Sequence, residues 1–139
     1  MIAHATATID APRDDVWAAL VDPVAMTRYL PVSDVRSSWS EGASISWRGE
    51  LGAKVIDVAG VISRFEPGRA LAYRYVDSLF RHERHVTIEL SDAGSGTLVA
   101  VTEAGQRNER ERAHQDGAWR LVLANLRSLL EGGRAPEPK

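Results

Sequence analysis

The sequence predicts an α+β fold in which a curved antiparallel sheet of about seven strands wraps a long C-terminal helix, in the order β-α-α-β6-α. Three observations predict it. From Asn108 to Glu131, the residues Trp119, Val122, Leu123, Leu126, Leu129 and Leu130 fall on one stripe at helical spacing. Before it, from Val35 to Glu103, short β-prone runs alternate with turns rich in Gly, Pro and Asp. Ahead of those, Asp-Pro and Ala-Pro steps frame two short helical segments.

The elements follow in order. Ile2 to Ile9 is Thr-rich and weakly alternating, a first strand. Asp10-Ala11-Pro12 starts a helix, with Pro suited to the first turn and Asp14 and Asp15 complementing the positive end of the dipole. Its apolar face is Val16, Trp17, Leu20 and Val21, and Trp17 is expected in the core. Asp22-Pro23 stops that helix and opens a second, short one through Met26 to Leu30, ended by Pro31. Val35 to Trp39 then turns at Glu41-Gly42 into Ala43 to Trp47, and a Gly49/Gly52 loop leads into Val55 to Phe65. Glu66-Pro67-Gly68-Arg69 has Pro and Gly where a type II turn wants them, before Leu71 to Val76. A looser segment around 77–81 precedes His85 to Leu90, the turn Asp92 to Gly96, and Leu98 to Glu103. Asn108 and Glu111 have capping-box spacing, and Gly132-Gly133 closes a helix roughly 30 Å long.

Composition narrows the function. The 139 residues suit one domain over residues 1–133, with proline-rich 134–139 as a frayed tail. A net charge of −2 argues against nucleic acid as a partner. The arginines of Arg81 to Arg84 and Arg107 to Arg112 alternate with glutamate, the pattern of a solvated face with helix-spaced ion pairs. No cysteine is present, which removes disulfides and thiol chemistry. No apolar run approaches the ~20 residues of a membrane span, and the N-terminus lacks the regions of a signal peptide. A cytoplasmic chain with no membrane partner is expected.

Four segments carry a family resemblance. They are Ile9 to Pro12 with Val16-Trp17; Gly60 to Ile62 with Glu66 to Leu71; Gly96-Thr97 with Thr102-Glu103; and Trp119 to Gly133, which reads Trp-x3-Leu-x-Asn-Leu-x2-Leu-Leu-Glu-x-Gly. On these the chain resembles the START/Bet v 1-like (SRPBCC) superfamily, the helix-grip fold, and within it the group related to the activator of Hsp90 ATPase C-terminal domain. The resemblance implies this fold over nearly the whole chain. It implies no single activity, because related domains include lipid carriers, hormone receptors, cyclases and co-chaperones.

Alternation along the strands says which side chains face inward. Val86, Ile88 and Leu90 share one face; so do Leu71, Tyr73 and Tyr75, and Ala43, Ile45 and Trp47. In the last strand both parities are apolar, and the resemblance favours Val99, Val101 and Glu103 inward. Glu103 is then either a buried pocket acid or a strand-end carboxylate reaching solvent or an arginine near the start of the last helix. Trp39, Trp47, Tyr73, Tyr75 and Trp119, with Leu123, either line a ligand cavity or fill the core. His82 and Arg84 share the parity of Val86 and are candidates for a pocket mouth. His82 and His85 lack the i, i+4 spacing of a helical zinc motif, so neither metal nor other cofactor is implied.

Three functions stand in order of preference. The first is binding of a small apolar or amphipathic ligand between sheet and last helix, as monomer or homodimer. The second is a cyclase-, dehydratase- or hydrolase-type enzyme using Glu103, Tyr73 and Tyr75. The third is a co-chaperone-like interaction domain, which would have a filled core.

Overall fold

The computed structural model describes residues 1–51, 53–76 and 82–132. The elements are β1 (Ile2–Ile9), α1 (Arg13–Leu20), α2 (Pro23–Tyr29), β2 (Asp34–Ser37), β3 (Ser44–Leu51), β4 (Lys54–Glu66), β5 (Ala70–Val76), β6 (Glu83–Ala93), β7 (Gly96–Ala104) and α3 (Glu109–Gly132). All strand pairs are antiparallel, in the order β1-β7-β6-β5-β4-β3-β2. This is the expected α+β helix-grip architecture, with α3 packed most extensively along β1. Gly52, the segment 77–81 and the tail from Gly133 lie outside the described residues.

Local chemistry accounts for the boundaries, including those that differ from expectation. Pro12 sits just before α1 as its N-cap rather than inside the first turn, and Val21 ends the helix. Asp22 caps α2 by accepting from the Val24 N–H at 3.0 Å. The second strand stops at Ser37, two residues short, because Trp39 adopts φ +55°. A bulky side chain in that left-handed region costs about 1–2 kcal/mol, so the chain cannot continue as a strand there. Gly49 belongs to β3 and not to a loop; a Cβ there would lie 2.7 Å from the Pro31 carbonyl oxygen. The Glu66–Arg69 turn is the expected one, with Gly68 at φ +79° and the Arg69 N–H donating to the Glu66 carbonyl at 2.9 Å. The β6–β7 hairpin is tighter than expected, since pairing runs on to Ala93 and Gly96.

Register sets the interior. Tyr73, Val86 and Glu103 lie side by side across three strands, and Leu71, Ile88 and Val101 form the next row. The apolar ones among these inward positions, with Ile45, Ile62, Val99, Leu123 and Leu126, make up the core with Val16, Leu20, Met26 and Tyr29 from the two short helices. Trp17 is only half-buried, edge-on to Phe65 with ring centroids 5.3 Å apart. A bulge at Ser63 shifts the β4–β5 register between Ile62 and Arg64, which bends the sheet around α3.

One glycine is demanded by that bend. A Cβ at Gly60 would sit 2.1 Å from the Arg74 carbonyl oxygen of the neighbouring strand. Gly60→Ala should therefore cost about 2–3 kcal/mol or more, as overpacking does. Urea unfolding followed by tryptophan fluorescence would read this as a lower midpoint.

Candidate functional site

The stripe of α3 lies over the inward rows of the sheet, and the two surfaces nearly fill the space between them. What remains is an apolar cavity of about 20 Å³, room for about one water molecule. Tyr73, Ile88, Val99, Val101, Trp119 and Leu123, all named from the sequence, line it. Leu20, Met26, Tyr29, Leu30, Ile45, Leu71, Val122 and Leu126 line it as well. Ile45 and Leu71 were readable from strand parity and Val122 and Leu126 from the helical stripe. The α1–α2 contribution had no signal in the sequence, because it depends on how that helix pair folds back.

A polar cluster closes one end of this interior. Glu103 is 1% exposed, and both its oxygens are occupied. Oε2 accepts from Arg84 Nη1 at 3.2 Å, Gln106 Nε2 at 3.2 Å and Gln115 Nε2 at 2.9 Å; Oε1 accepts from the Trp119 indole N–H at 3.0 Å. The arginine partner thus comes from β6, not from the start of the last helix, and the carboxylate does not reach solvent. Arg84 is 3% exposed and also faces Glu111 of α3 at 3.5 Å, which corrects both its placing at a pocket mouth and the solvated reading of its cluster. Burial here follows from the row structure: α3 begins directly over the ends of β6 and β7.

The other candidates lie around this cluster. Trp47, Tyr73 and Tyr75 form an aromatic group with ring centroids 4.9 to 6.2 Å apart. Val86 is fully buried beneath it. Trp39 packs half-buried against the core and is not among the residues lining the cavity. His82 meets the Gly105 carbonyl through Nε2, just before β6. Among the described residues, no three of His, Asp and Glu gather as a metal site. Nor is any described helix long and apolar enough to cross a membrane.

Electrostatics separates the two ends. Burial pushes the Tyr73 hydroxyl well above the ordinary tyrosine range, helped by neighbouring Tyr75 and Glu103. It stays protonated. Burial likewise raises the Tyr29 hydroxyl, which donates to the Ala19 carbonyl at 2.9 Å. Glu111 is held down to about 2 by the Arg107 side chain and backbone N–H, with Arg84 adding to the effect. The Asn108 cap on the Glu111 N–H is present at 2.9 Å, but the return bond goes to the Arg107 N–H instead of completing a capping box on Asn108.

Comparison with known proteins now bears on this geometry. The family model described as activator of Hsp90 ATPase homolog 1-like protein matches residues 10–131. The chain belongs to that family. A Cytophaga hutchinsonii protein of known solution structure is 31% identical, with TM-score 0.81, over 96% of this chain and 95% of its own. A Mesorhizobium loti protein, 20% identical, shares the fold at TM-score 0.81 over 96% and 99%. So does the Aha1 dimer from Colwellia psychrerythraea, 15% identical, at 0.79 over 97% and 99%. No curated protein matches the chain. In this activator-like member, the Trp119 to Glu131 signature is explained by structure: Trp119 holds Glu103, Leu123 and Leu126 fill the core, and Glu131 accepts the Asp10 N–H at 2.8 Å.

Two outcomes follow. Glu103→Gln keeps the shape but leaves Arg84 buried beside a neutral amide, so urea unfolding should show a loss of about 3 kcal/mol. Glu111 has a folded pKa below its ordinary 4.5, so its contribution is present above pH 4.5 and lost as pH falls toward about 2. Urea midpoints measured across that window should converge for the wild type and Glu111→Gln, with the wild type higher at neutral pH.

Proposed function

We propose that the chain, as one domain over residues 1–133, binds a neutral, largely apolar small molecule between the sheet and α3, as a cytoplasmic monomer or homodimer. The observation that carries this reading is the Tyr73 hydroxyl, held protonated by burial on the wall of an otherwise apolar cavity. The Trp119 and Tyr29 polar atoms at the same cavity are already committed to Glu103 and Ala19. The ligand would therefore carry one acceptor oxygen or nitrogen toward Tyr73 and present apolar surface elsewhere.

Charge supports neutrality. Glu103 and Arg84 face each other, so an ionised ligand would have to break a buried pair to find a counter-charge. The same saturation of Glu103 supports a clamp more than an acid or base, which weakens the enzyme reading. The cavity of about 20 Å³ must widen for any ligand. Burying roughly 200 Å² of apolar ligand surface, at about 25 cal/mol per Å², contributes roughly 5 kcal/mol toward that widening. The nearly filled interior is also what favours the second reading, an interaction domain working through its outer surface.

Native mass spectrometry of protein from its own host, against the denatured sample, separates the two. A discrete mass lost on denaturation is the expected result and would name the ligand. Tyr73→Phe should then weaken binding about ten-fold without lowering stability, the size of one hydrogen bond. A bare mass together with stable capture of a protein partner would turn the assignment toward the interaction domain.

A further inference from the structure

We infer that residues 109–116 of α3 form a flap hinged at Gly117 that opens the polar end of the interior. The helix has two unlike halves. From Glu109 to Ala118 the only buried residue is Asp116, and none of these residues belongs to the apolar core. This half is held to the sheet by polar contacts: Glu111 to Arg84, Gln115 to Glu103, and Asp116, which accepts the His4 N–H at 2.9 Å. From Trp119 onward the helix is anchored by Leu123, Leu126 and their half-buried neighbours. Gly117 stands at the junction.

Packing does not require that glycine. Its backbone is helical, and a Cβ there would meet only the end of the Arg120 side chain, at 3.9 Å. A glycine inside a helix, where alanine would fit, weakens the helix at that point. The flap would move as a unit, since Arg112 pairs with Glu109 and Asp116 within it. Opening exchanges the polar contacts with the sheet for water, which offers the same groups equivalent hydrogen bonds, and it withdraws no residue of the flap from the apolar core. Parting the other half would expose the core. The flap covers Glu103, which holds Trp119 of the cavity wall, so its motion would open a way toward the cavity past Trp119 and Tyr73 even though the flap itself does not line it. This extends the ligand-binding reading, but its first test is independent of it.

Hydrogen exchange followed by mass spectrometry on the full chain is that test. Amides of 110–117 should exchange at least ten-fold faster than those of 121–129. Gly117→Ala should slow the first group about five-fold, the fold-change equivalent of one glycine-to-alanine helix propensity difference, and leave the second unchanged. Gln115→Ala should speed the first group alone. Uniform exchange along α3, or equal slowing of both halves by Gly117→Ala, would overturn the hinge. Nile red, a neutral apolar dye, then tests the coupling to the interior. Slower uptake in Gly117→Ala supports the flap as the entrance. Exchange that behaves as expected with no dye binding in either protein keeps the hinge and removes the ligand reading; dye uptake at equal rates in both removes the entrance.

Discussion

The structure turns on one buried carboxylate. Glu103 lies under α3 at the end of β7, and a single ion-paired group there gathers donors from β6, the β7–α3 connection and α3 itself. A carboxylate removed from water is costly unless its lone pairs are filled, so each of these donors is under constraint. Satisfying Glu103 fixes the height of α3 above the sheet, the rotation that brings Trp119 inward, and the position of Arg84. Gln106 extends the arrangement to the sheet edge, because its Oε1 accepts the Ala3 N–H at 3.1 Å while its amide serves Glu103.

The edge strand β1 is managed by the same helix. Asp116 and Glu131 of α3 accept N–H groups of His4 and Asp10. An exposed strand edge with free donors invites pairing with another chain, and acceptors supplied by α3 blunt it. Those bonds in turn hold the two carboxyls below their ordinary range, the backbone donor being the largest cause in each. The helix therefore acts twice, as the lid on the concave face and as the cover of one edge. Its amphipathic stripe meets only the first of these demands, which is why it also carries acids at positions that a simple surface helix would leave to chance.

How much of this was legible depended on whether the signal was periodic. Strand parity placed Val86, Ile88, Leu90, Tyr73 and Ile45 correctly, since a one-residue slip would turn every side chain outward. The stripe of α3 was equally plain. Arg84 was misplaced because its cluster alternates sign like a solvated face, and nothing local tells that α3 will land on top of it. The loss of strand at Trp39 had no cue either, because tryptophan is a strand former and its left-handed backbone is imposed by the surroundings. The size of the cavity had no cue for a related reason. Alternation says which residues point inward, and says nothing of how far Met26, Tyr29 and Trp119 extend to fill the space.

That filling has a physical cause. A dry void of 300 Å³ at about 24 cal/mol per Å³ would cost roughly 7 kcal/mol, as much as a whole domain of this size has in reserve. This chain avoids that cost, its interior being closed down to about 20 Å³. Any molecule admitted must then replace side-chain contacts with its own, and the walls that yield most easily are those held by polar contacts. The element beside the cavity that is held in this way is the first half of α3, which covers Glu103. The division of one helix into an apolar half that sets the fold and a polar half that closes it lets the domain be both stable and openable, with Glu103 at the border between the two.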